Sequence, residues 1–445
     1  MIAPLTVIEG DPSAPILKVI RSAVGEHLLI VPHSRIFDLP QNSHQGSISD
    51  GDDHPVPPHL AAALADTAYG EVPLDQVVAP APQSISLNVS SSCNLSCSYC
   101  YAAQGSFQGA QPNPMPWEVA RAAIDKLLSE ADPLAAITIG FLGGEPFANR
   151  RLIHRAVHYA AAEAQLRGLD VRFSVTTNGT LLSEEDIELL RTHRFAVTVS
   201  VDGGRQIQSL QRPAATASRS SYDQLVAATS TLLADPGLAQ VSARATVKRG
   251  SFNLLERFQD ILSIGFPEVG FAPLRAANTG DALANEDWPA YLAAMIELAS
   301  FELERMKQGL SIRFTNLAVA LKQIHRGASS PYPCGAGGGY FSVAASGEWY
   351  ACHRAIGSPK FRMGNSEALD TKRRNDFLIE RHVHSQLACR QCWARYLCSG
   401  GCHQEASTRN DSSCGFVRGW LEFCITAYCE LSTGMPEFLN QSIRA

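Results

Sequence analysis

Three closely spaced cysteines are the residues of this chain whose types and spacing most clearly suggest chemistry. Cys93, Cys97 and Cys100 stand in the run Cys-Asn-Leu-Ser-Cys-Ser-Tyr-Cys, directly after an apolar segment at 84–90 that predicts a β-strand. Three thiolates on such a turn can serve three irons of a four-iron cluster and leave the fourth iron open for a non-protein ligand. The alternatives are three unligated thiols in a tight loop, or part of a zinc site completed elsewhere.

The bulk composition limits the other possibilities. The chain has 445 residues, twelve cysteines and a formal net charge of −6. No apolar run is long enough to cross a membrane, and the first residues lack the features of a signal peptide, so we expect a cytoplasmic protein whose thiols stay reduced. The near balance of charges argues against a nucleic-acid partner. Metal or cluster ligation is therefore the leading explanation for the cysteines.

The elements that must position the cysteine loop form a repeating pattern. Short β-rich runs alternate with helical windows, which predicts parallel strands joined by crossover helices, with the active site at the carboxyl ends of the strands. Six units are too few for a closed eight-stranded barrel, so the predicted fold is α/β with a partial (β/α)6 barrel. The predicted strands are 84–90, 136–142, 170–177, 195–201, 241–247 and 269–274, and the predicted helices are 116–131, 150–167, 183–193, 221–234, 252–263 and 287–307.

Cysteine content divides the chain into three regions. Residues 1–80 contain no cysteine and predict a small α+β extension with strands at 27–31 and 35–39 and a helix at 61–68. Residues 81–310 form the predicted barrel. Residues 311–445 form a bridging region and a domain with nine cysteines, in which the β/α pattern stops from about residue 330. Bonds from metal to thiolate would supply folding energy in a segment so rich in Cys and Gly.

The loop Cys-x3-Cys-x-aromatic-Cys after the first predicted barrel strand resembles the radical S-adenosylmethionine (SAM) superfamily. The resemblance implies that three cysteines hold a [4Fe-4S] cluster whose open iron binds SAM, and that an electron from the cluster cleaves SAM to a 5′-deoxyadenosyl radical. It also implies an external electron donor such as flavodoxin or ferredoxin. In such enzymes the cofactor carries the difficult chemistry, and the protein positions it and excludes water.

Further motifs support the resemblance at the ends of later strands. A Gly-Gly-Glu-Pro turn follows the second predicted strand, where the family binds the methionine amino group, and its carboxylate suits an ammonium partner. The resemblance also implies polar contacts to the ribose and methionine portions of SAM, with Ser200 and Asp202 as candidates for the ribose, although Asn-Gly and Asp-Gly are common turn pairs too. The implied cofactor-binding residues are Gly143, Gly144, Glu145, Pro146, Thr177, Asn178, Ser200, Asp202 and, for the methionine carboxylate, Arg244.

The cysteines after residue 330 resemble the SPASM domain, the auxiliary-cluster extension of peptide-modifying radical SAM enzymes. Their spacing fits Cys-x9–15-Gly-x4-Cys followed by Cys-x2-Cys-x5-Cys-x3-Cys and a last cysteine. The resemblance implies two auxiliary [4Fe-4S] clusters, so that the chain would hold three clusters in all. One set of ligands, the outer site, is Cys389, Cys392, Cys398 and Cys414; the other, the inner site, is Cys334, Cys352 and Cys402.

The inner site is one ligand short. Either Cys424 or Cys429 reaches back to it, or one iron is open to a substrate. These two cysteines stand five apart in a helix-like segment and do not share a face, so we expect buried small hydrophobic residues rather than ligands.

The residues after Cys352 point to a class of reaction. Cys-His-Arg at 352–354, followed by Phe-Arg-Met-Gly at 361–364, resembles thioether-forming peptide maturases such as SCIFF maturases and the enzymes that cross-link quinohemoprotein amine dehydrogenase. The implied reaction is a Cys thioether cross-link in a peptide or small protein. In sulfatase maturases an Asp usually follows this cysteine, so His353, a candidate catalytic residue, counts against formylglycine formation.

Other functions stay open at this point. The alternatives are a cyclophane-forming maturase, an anaerobic sulfatase-maturating enzyme and, outside enzymology, an iron–sulfur electron carrier or a zinc-stabilised binding protein. Residues 1–80 would be a peptide-docking element that adds a leader peptide to a strand edge, or an ordinary extension packed on the barrel.

Overall fold

The computed structural model describes residues 17–39, 74–103, 113–216, 220–275, 280–406 and 409–435. The predicted helix at 61–68 lies outside these residues. Short 3-10 helices connect several elements, at Val31–His33, Leu74–Gln76, Pro146–Asn149, Asn285–Asp287, His353–Ala355, Pro359–Phe361 and Val383–Ser385.

A small antiparallel sheet begins the described chain. It consists of β1 (Leu17–Ser22), β2 (Gly25–Ile30) and β3 (Arg35–Asp38), in that order. The sequence predicts the second and third strands but not β1. The sheet packs against the C-terminal helix, where Lys18 lies 3.5 Å from Glu422, and Val31 packs with Val383 and Tyr396 of the auxiliary region. The small sheet therefore lies beside the cysteine-rich part of the chain.

The six predicted β/α units are confirmed, and each of the six strands begins and ends within one residue of its predicted bounds. The strands are β4 (Ser84–Ser90), β5 (Ile137–Gly143), β6 (Val171–Thr177), β7 (Phe195–Ser200), β8 (Gln240–Val247) and β9 (Val269–Pro273). The helices are α1 (Trp117–Glu130), α2 (Arg150–Arg167), α3 (Glu184–Thr192), α4 (Arg205–Gln211), α5 (Ser221–Ala234), α6 (Leu254–Ile264) and α7 (Trp288–Lys307); the sequence did not predict α4.

Side-chain alternation gives the barrel an apolar outer layer and a polar inner face. On β4, Ile85, Leu87 and Val89 are buried in the main hydrophobic core, which also contains apolar residues of the surrounding helices. The intervening positions are polar, and Ser86 lies beside Gly140 and Ser174 of the next two strands. Side chains alternate across a strand, so one face of β4 packs against the helices and the other face places hydroxyl groups inside the barrel.

The later part of the chain extends the barrel sheet, which the sequence did not predict. β10 (Tyr340–Val343) pairs with β4 in parallel, and β11 (Glu348–Tyr350) and β12 (Arg362–Asn365) continue the sheet antiparallel. The nine-stranded order is β12-β11-β10-β4-β5-β6-β7-β8-β9. The three strands are three or four residues long, so their alternation is too short to mark them as strands.

Helices complete the C-terminal region. They are α8 (Thr315–His325), α9 (Thr371–Arg381), α10 (Leu387–Arg390), α11 (Arg395–Cys398) and α12 (Asp411–Gly434). The side chain of Asn410 caps α12 by accepting a hydrogen bond from the Ser413 amide at 2.9 Å. α12 packs against α7, α8 and β1 and so connects the barrel to the small antiparallel sheet. Within the described ranges, no helix combines the length and the apolar character needed to span a membrane.

Candidate functional site

The first cysteine loop follows β4 at the carboxyl end of the barrel strands. A turn within it brings the Cys100 amide to the Cys97 carbonyl at 3.2 Å. The backbone of the loop also pairs with a segment after α4, because Ser96 donates to the Pro213 carbonyl at 2.8 Å and Ala215 donates to the Asn94 carbonyl at 3.0 Å. The loop is thus fixed both by its own turn and by the segment that follows α4.

The three thiols of this loop lie close enough to influence one another. Burial is the main cause that raises the pKa of Cys93 and of Cys97, and the neighbouring Cys100 thiol contributes to both increases; the pKa of Cys97 reaches about 11. None of the three forms a disulfide. Among the residues that the structure describes, no three His, Cys, Asp or Glu side chains converge on the space of one metal ion. Each cysteine of a four-iron cluster binds a different iron, and this donor set fits such a cluster.

A buried ion pair supports the loop from within the barrel. Asp202, which has no exposed surface, pairs with Arg212 at 3.1 Å and accepts a hydrogen bond from the hydroxyl of Tyr99, the aromatic residue of the cysteine motif. It also accepts from the Thr246 amide at 2.8 Å. The guanidinium of Arg212 lies over the Tyr99 ring, 5.3 Å from its centroid, and it lowers the pKa of Cys97. The carboxylate is therefore occupied by internal donors, and its role as a ribose ligand stays a prediction.

The Gly-Gly-Glu-Pro turn is built onto the start of the cysteine loop. Gly144 and Glu145 donate backbone hydrogen bonds to the Ser90 and Ser92 carbonyls, each at 2.8 Å. Gly143 has a φ of +153°, and a Cβ there would overlap the Ser90 carbonyl oxygen, so only glycine fits. Pro146 begins the short helix that follows. The turn and the cysteine loop therefore form one hydrogen-bonded unit.

The Glu145 carboxylate faces the protein interior. It accepts hydrogen bonds from the Thr177 hydroxyl at 2.6 Å, the Asn178 amide at 2.7 Å and the Phe147 amide at 3.2 Å. It has no exposed surface, and burial raises its pKa to about 7. Three of about four acceptor positions are used inside the protein. Its contact with the methionine ammonium stays a prediction and would have to use the position that remains.

The Thr-Asn-Gly turn at the end of β6 lies against the same loop. The side chain of Asn178 donates to the Asn94 side chain at 2.9 Å and approaches the sulfur of Cys93 at 3.7 Å. Thr177 and Asn178 are both buried. Their direct contact with SAM stays a prediction, but the structure places both between the Gly-Gly-Glu-Pro turn and the cysteine loop.

Ser200 and Arg244 lie beside each other on β7 and β8. Arg244 lines a cavity of about 1080 Å³ that continues from the barrel interior to the outer-site cysteines and Cys402. Burial in this cleft lowers the pKa of Arg244. Its contact with the methionine carboxylate stays a prediction; the cavity shows that the barrel interior and the auxiliary region share one space.

The structure brings the three predicted inner-site cysteines together. Cys402 raises the pKa of both Cys334 and Cys352, and burial raises that of Cys352 to about 11. Cys334 is exposed. Arg354 approaches the sulfur of Cys402 at 4.0 Å and forms an ion pair with the buried Glu405. The inner site thus has three thiols, an adjacent guanidinium and one side open to solvent.

His353 connects the inner site to the first cysteine loop. Its Nδ1 lies 3.1 Å from the Tyr340 hydroxyl, which is 2.7 Å from the Ser86 hydroxyl inside the barrel. Its ring packs edge-on against Tyr101, the residue after Cys100, with centroids 5.9 Å apart. Burial and the neighbouring Arg354 lower the pKa of His353 to about 4. A catalytic role for His353 stays a prediction.

The four predicted outer-site cysteines lie near one another and line the same cavity. Burial is the main cause that raises the pKa of Cys398 to about 11, and Cys389, Cys392 and Cys414 contribute to the increase. Arg409 lowers the pKa of Cys398 and is held in place by the Gly400 carbonyl and by Gln386 at 2.8 Å. A guanidinium beside four thiols suits a cluster whose thiolates carry negative charge.

Cys424 and Cys429 lie in the hydrophobic core on α12, with 0% and 2% exposure. Burial alone raises the pKa of Cys424, and no other thiol contributes to the raised pKa of Cys429. Their burial is as expected for small hydrophobic residues, and their absence from the inner site stays a prediction.

Sequence reasoning missed Arg212 and Tyr101. Arg212 stands ten residues after Asp202, directly after a helix that was not predicted, and a lone arginine carries no local signal. Tyr101 is adjacent to Cys100, and that adjacency was the available signal for it.

Comparison with known proteins agrees with this geometry. Residues 87–233 match the model of the radical SAM superfamily. The chain therefore contains a radical SAM domain, and it is an enzyme. Its fold is the expected mixed α/β barrel with a Cys-rich C-terminal region.

Particular relatives cover most of the chain. A cysteine-type anaerobic sulfatase-maturating enzyme of Clostridium perfringens is 25% identical over 369 residues, which cover 77% of this chain and 92% of that enzyme. A serine-type enzyme of Klebsiella aerogenes is 23% identical over 345 residues, which cover 73% of this chain and 81% of that enzyme.

Solved structures share the fold. Native anSMEcpe with bound AdoMet has a TM-score of 0.67 at 19% identity and covers 80% of this chain and 100% of its own. Streptococcus suis SuiB bound to S-adenosylmethionine has a TM-score of 0.55 at 13% identity and covers 90% of this chain and 97% of its own.

Proposed function

We propose that this protein modifies a peptide or small protein by radical chemistry and forms a Cys thioether cross-link. When bound, a [4Fe-4S] cluster on Cys93, Cys97 and Cys100 together with SAM supplies a carbon radical that removes a hydrogen atom from a substrate. Relatives that mature sulfatases, and a solved SuiB complex with the precursor peptide SuiA, support a peptide or protein substrate.

The observation that carries the thioether proposal is the open inner site. Cys334, Cys352 and Cys402 supply three thiols, and Cys424 and Cys429 are buried elsewhere. The exposure of Cys334 leaves that side reachable by a substrate thiol. The auxiliary clusters proposed here would sit on these three cysteines and on the outer-site four.

The reaction also needs an acceptor for one electron and an acceptor for one proton. Joining a substrate carbon radical to a thiol forms the C–S bond, breaks the S–H bond and releases one proton and one electron. The electron would pass to the auxiliary site, and an external flavodoxin or ferredoxin would reduce the first cluster. His353, a neutral imidazole that contacts Tyr101 and Tyr340, lies between the two cysteine sites and is the candidate to receive the proton.

A sulfatase-maturating function is the second candidate, because the curated relatives with that activity match most of the chain. The presence of His353 after Cys352, where the sequence pattern of those enzymes usually has Asp, disfavours it. A cyclophane-forming reaction would not need the open inner site. The small sheet at the N-terminus is proposed as the peptide-docking element, since the outer edges of β1 and β3 have no strand partner among the described residues.

Anaerobically reconstituted protein tests the proposal. A Cys-containing candidate peptide should become lighter by two hydrogen atoms and lose its reactivity toward a thiol reagent. A product that keeps a free thiol excludes the thioether, and a product that reacts with a hydrazide probe as an aldehyde indicates the sulfatase-type reaction.

The matched variants are Cys402→Ala and Cys424→Ala. Cys402→Ala should lose inner-cluster iron and cross-linking while it still forms 5′-deoxyadenosine. Cys424→Ala, which removes a core thiol, should keep both. Cross-linking by Cys402→Ala at the unsubstituted rate would refute the role of the inner site.

A further inference from the structure

We propose that the side-chain amide of Asn178 donates a hydrogen bond to the sulfur of Cys93 and so raises the reduction potential of the first cluster. Asn178 is then a positioning residue that acts through a cluster ligand. This inference rests on the radical SAM class alone and is independent of the thioether chemistry.

The distances place two N–H donors on the same sulfur. Asn178 Nδ2 lies 3.7 Å from Cys93 Sγ, within the range of hydrogen bonds to sulfur, and the Leu95 amide lies 3.4 Å from it. The first donor follows β6 and the second comes from the cysteine loop itself. A donor from a neighbouring strand end can be removed without changing the sequence of the loop.

The orientation of the Asn178 amide is fixed by its other partners. The backbone amide and hydroxyl of Thr180 both donate to Asn178 Oδ1, at 2.9 and 2.6 Å. The Asn178 Nδ2 donates to Asn94 Oδ1, and Asn94 donates to the Thr180 hydroxyl at 2.8 Å. If the Asn178 amide were flipped, its NH2 group would face the two Thr180 donors. This network therefore assigns the positions of the amide oxygen and nitrogen.

The backbone also holds Asn178 in place. Its amide donates to Glu145 at 2.7 Å, which ties it to the Gly-Gly-Glu-Pro turn. Gly179 has a φ of +74°, and a Cβ there would stand 2.8 Å from a methyl group of Val199. Asn178 is only 6% exposed, so water does not compete for its side-chain amide.

The physical consequence follows from charge. Reduction adds an electron to a cluster and its thiolates, and an N–H aimed at a thiolate sulfur stabilises the more negative state. Removal of the donor therefore favours the oxidised state and lowers the reduction potential. A carboxylate in the same position would add repulsion and lower it further.

The test is an anaerobic redox titration of the full holoprotein followed by electron paramagnetic resonance. The first cluster is identified as the signal that changes when SAM is added. Asn178→Ala should shift the ratio of reduced to oxidised cluster about tenfold toward the oxidised form at a fixed potential, which is about 59 mV for one electron. Asn178→Asp, which keeps the side-chain shape, should shift it further.

The control is Asn375→Ala. The Asn375 side chain accepts a hydrogen bond from the Ala79 amide outside the cysteine loop, so its removal should leave the reduction potential unchanged. If Asn178 had a purely structural role, the reduction potential would change more in Asn178→Ala than in the isosteric Asn178→Asp. That order overturns the proposal, and so does an unchanged reduction potential in Asn178→Ala.

A measurement on the unsubstituted protein covers the case in which both Asn178 variants fail to load the cluster. Selective ¹⁵N labelling of asparagine should change the nitrogen couplings in the spin-echo spectrum of the SAM-sensitive signal. The absence of any such change overturns the proposal.

Discussion

Glu145 should make the protein less stable as the pH rises from about 4.5 to about 7. Burial raises the pKa of its carboxyl from 4.5 to about 7 in the folded protein. An acid with a folded-state pKa above its unfolded value binds its proton more tightly when folded. The stability that the protonated Glu145 side chain contributes is fully present below the pKa of the unfolded state and is lost as the pH rises through the pKa of the folded state. The difference between the two values corresponds to about 3 kcal/mol.

Glu145→Gln isolates this contribution because glutamine does not titrate. The substitution also places an NH2 group toward the donors that the carboxylate now accepts from, which should cost about 1–3 kcal/mol at every pH. The measurement is the free energy of unfolding in urea, under anaerobic conditions, at pH 6 and pH 8. Between these values the unsubstituted protein should lose about 1 kcal/mol more than Glu145→Gln.

Hydrogen exchange gives a local version of the same experiment, since the Asn178 amide donates to Glu145. If this amide exchanges through unfolding, its rate should rise between pH 6 and pH 8 about fivefold more in the unsubstituted protein than in Glu145→Gln, which corresponds to about 1 kcal/mol. The matched control is Glu367→Gln, an exposed glutamate, which should follow the unsubstituted protein. An equal pH dependence in the unsubstituted protein and Glu145→Gln would refute the reasoning.

Three further substitutions test separate parts of the site. Arg212→Met leaves the buried Asp202 carboxylate without its cation and should lower the free energy of unfolding by about 3–5 kcal/mol. Addition of Asp202→Asn to this variant should restore part of that loss, whereas additive losses in the double variant would contradict the pairing. Gly143→Ala should displace the turn from the Ser90 carbonyl and lower iron loading at the first site, as measured by iron content; full loading would contradict this account. Cys424→Ala should cost about 1 kcal/mol of stability and leave iron content unchanged, whereas lost iron would make Cys424 a ligand.

The strands of the barrel were predictable because each is a local apolar run bounded by turn residues. The cysteine groups were predictable from spacing, and the structure brings each predicted set together. The pairing of β10 with β4 was not predictable, since Tyr340 and Ser86 are 254 residues apart and short strands carry no signal for a partner. The inward orientation of Glu145 and Asp202 was also hidden, because a carboxylate beside a turn suits a ligand contact as well as an internal hydrogen-bond network.

The pairing of β10 with β4 has a consequence for synthesis. A ribosome adding about 5–20 residues per second needs roughly 10–50 seconds to pass from Ser86 to Tyr340. During that time one side of β4 is an unpaired edge, which is a template for association with other chains. The strand that carries the first cysteine loop therefore gains its second partner only after all the other barrel strands have been made, and chains truncated before β10 should aggregate more readily than the full protein.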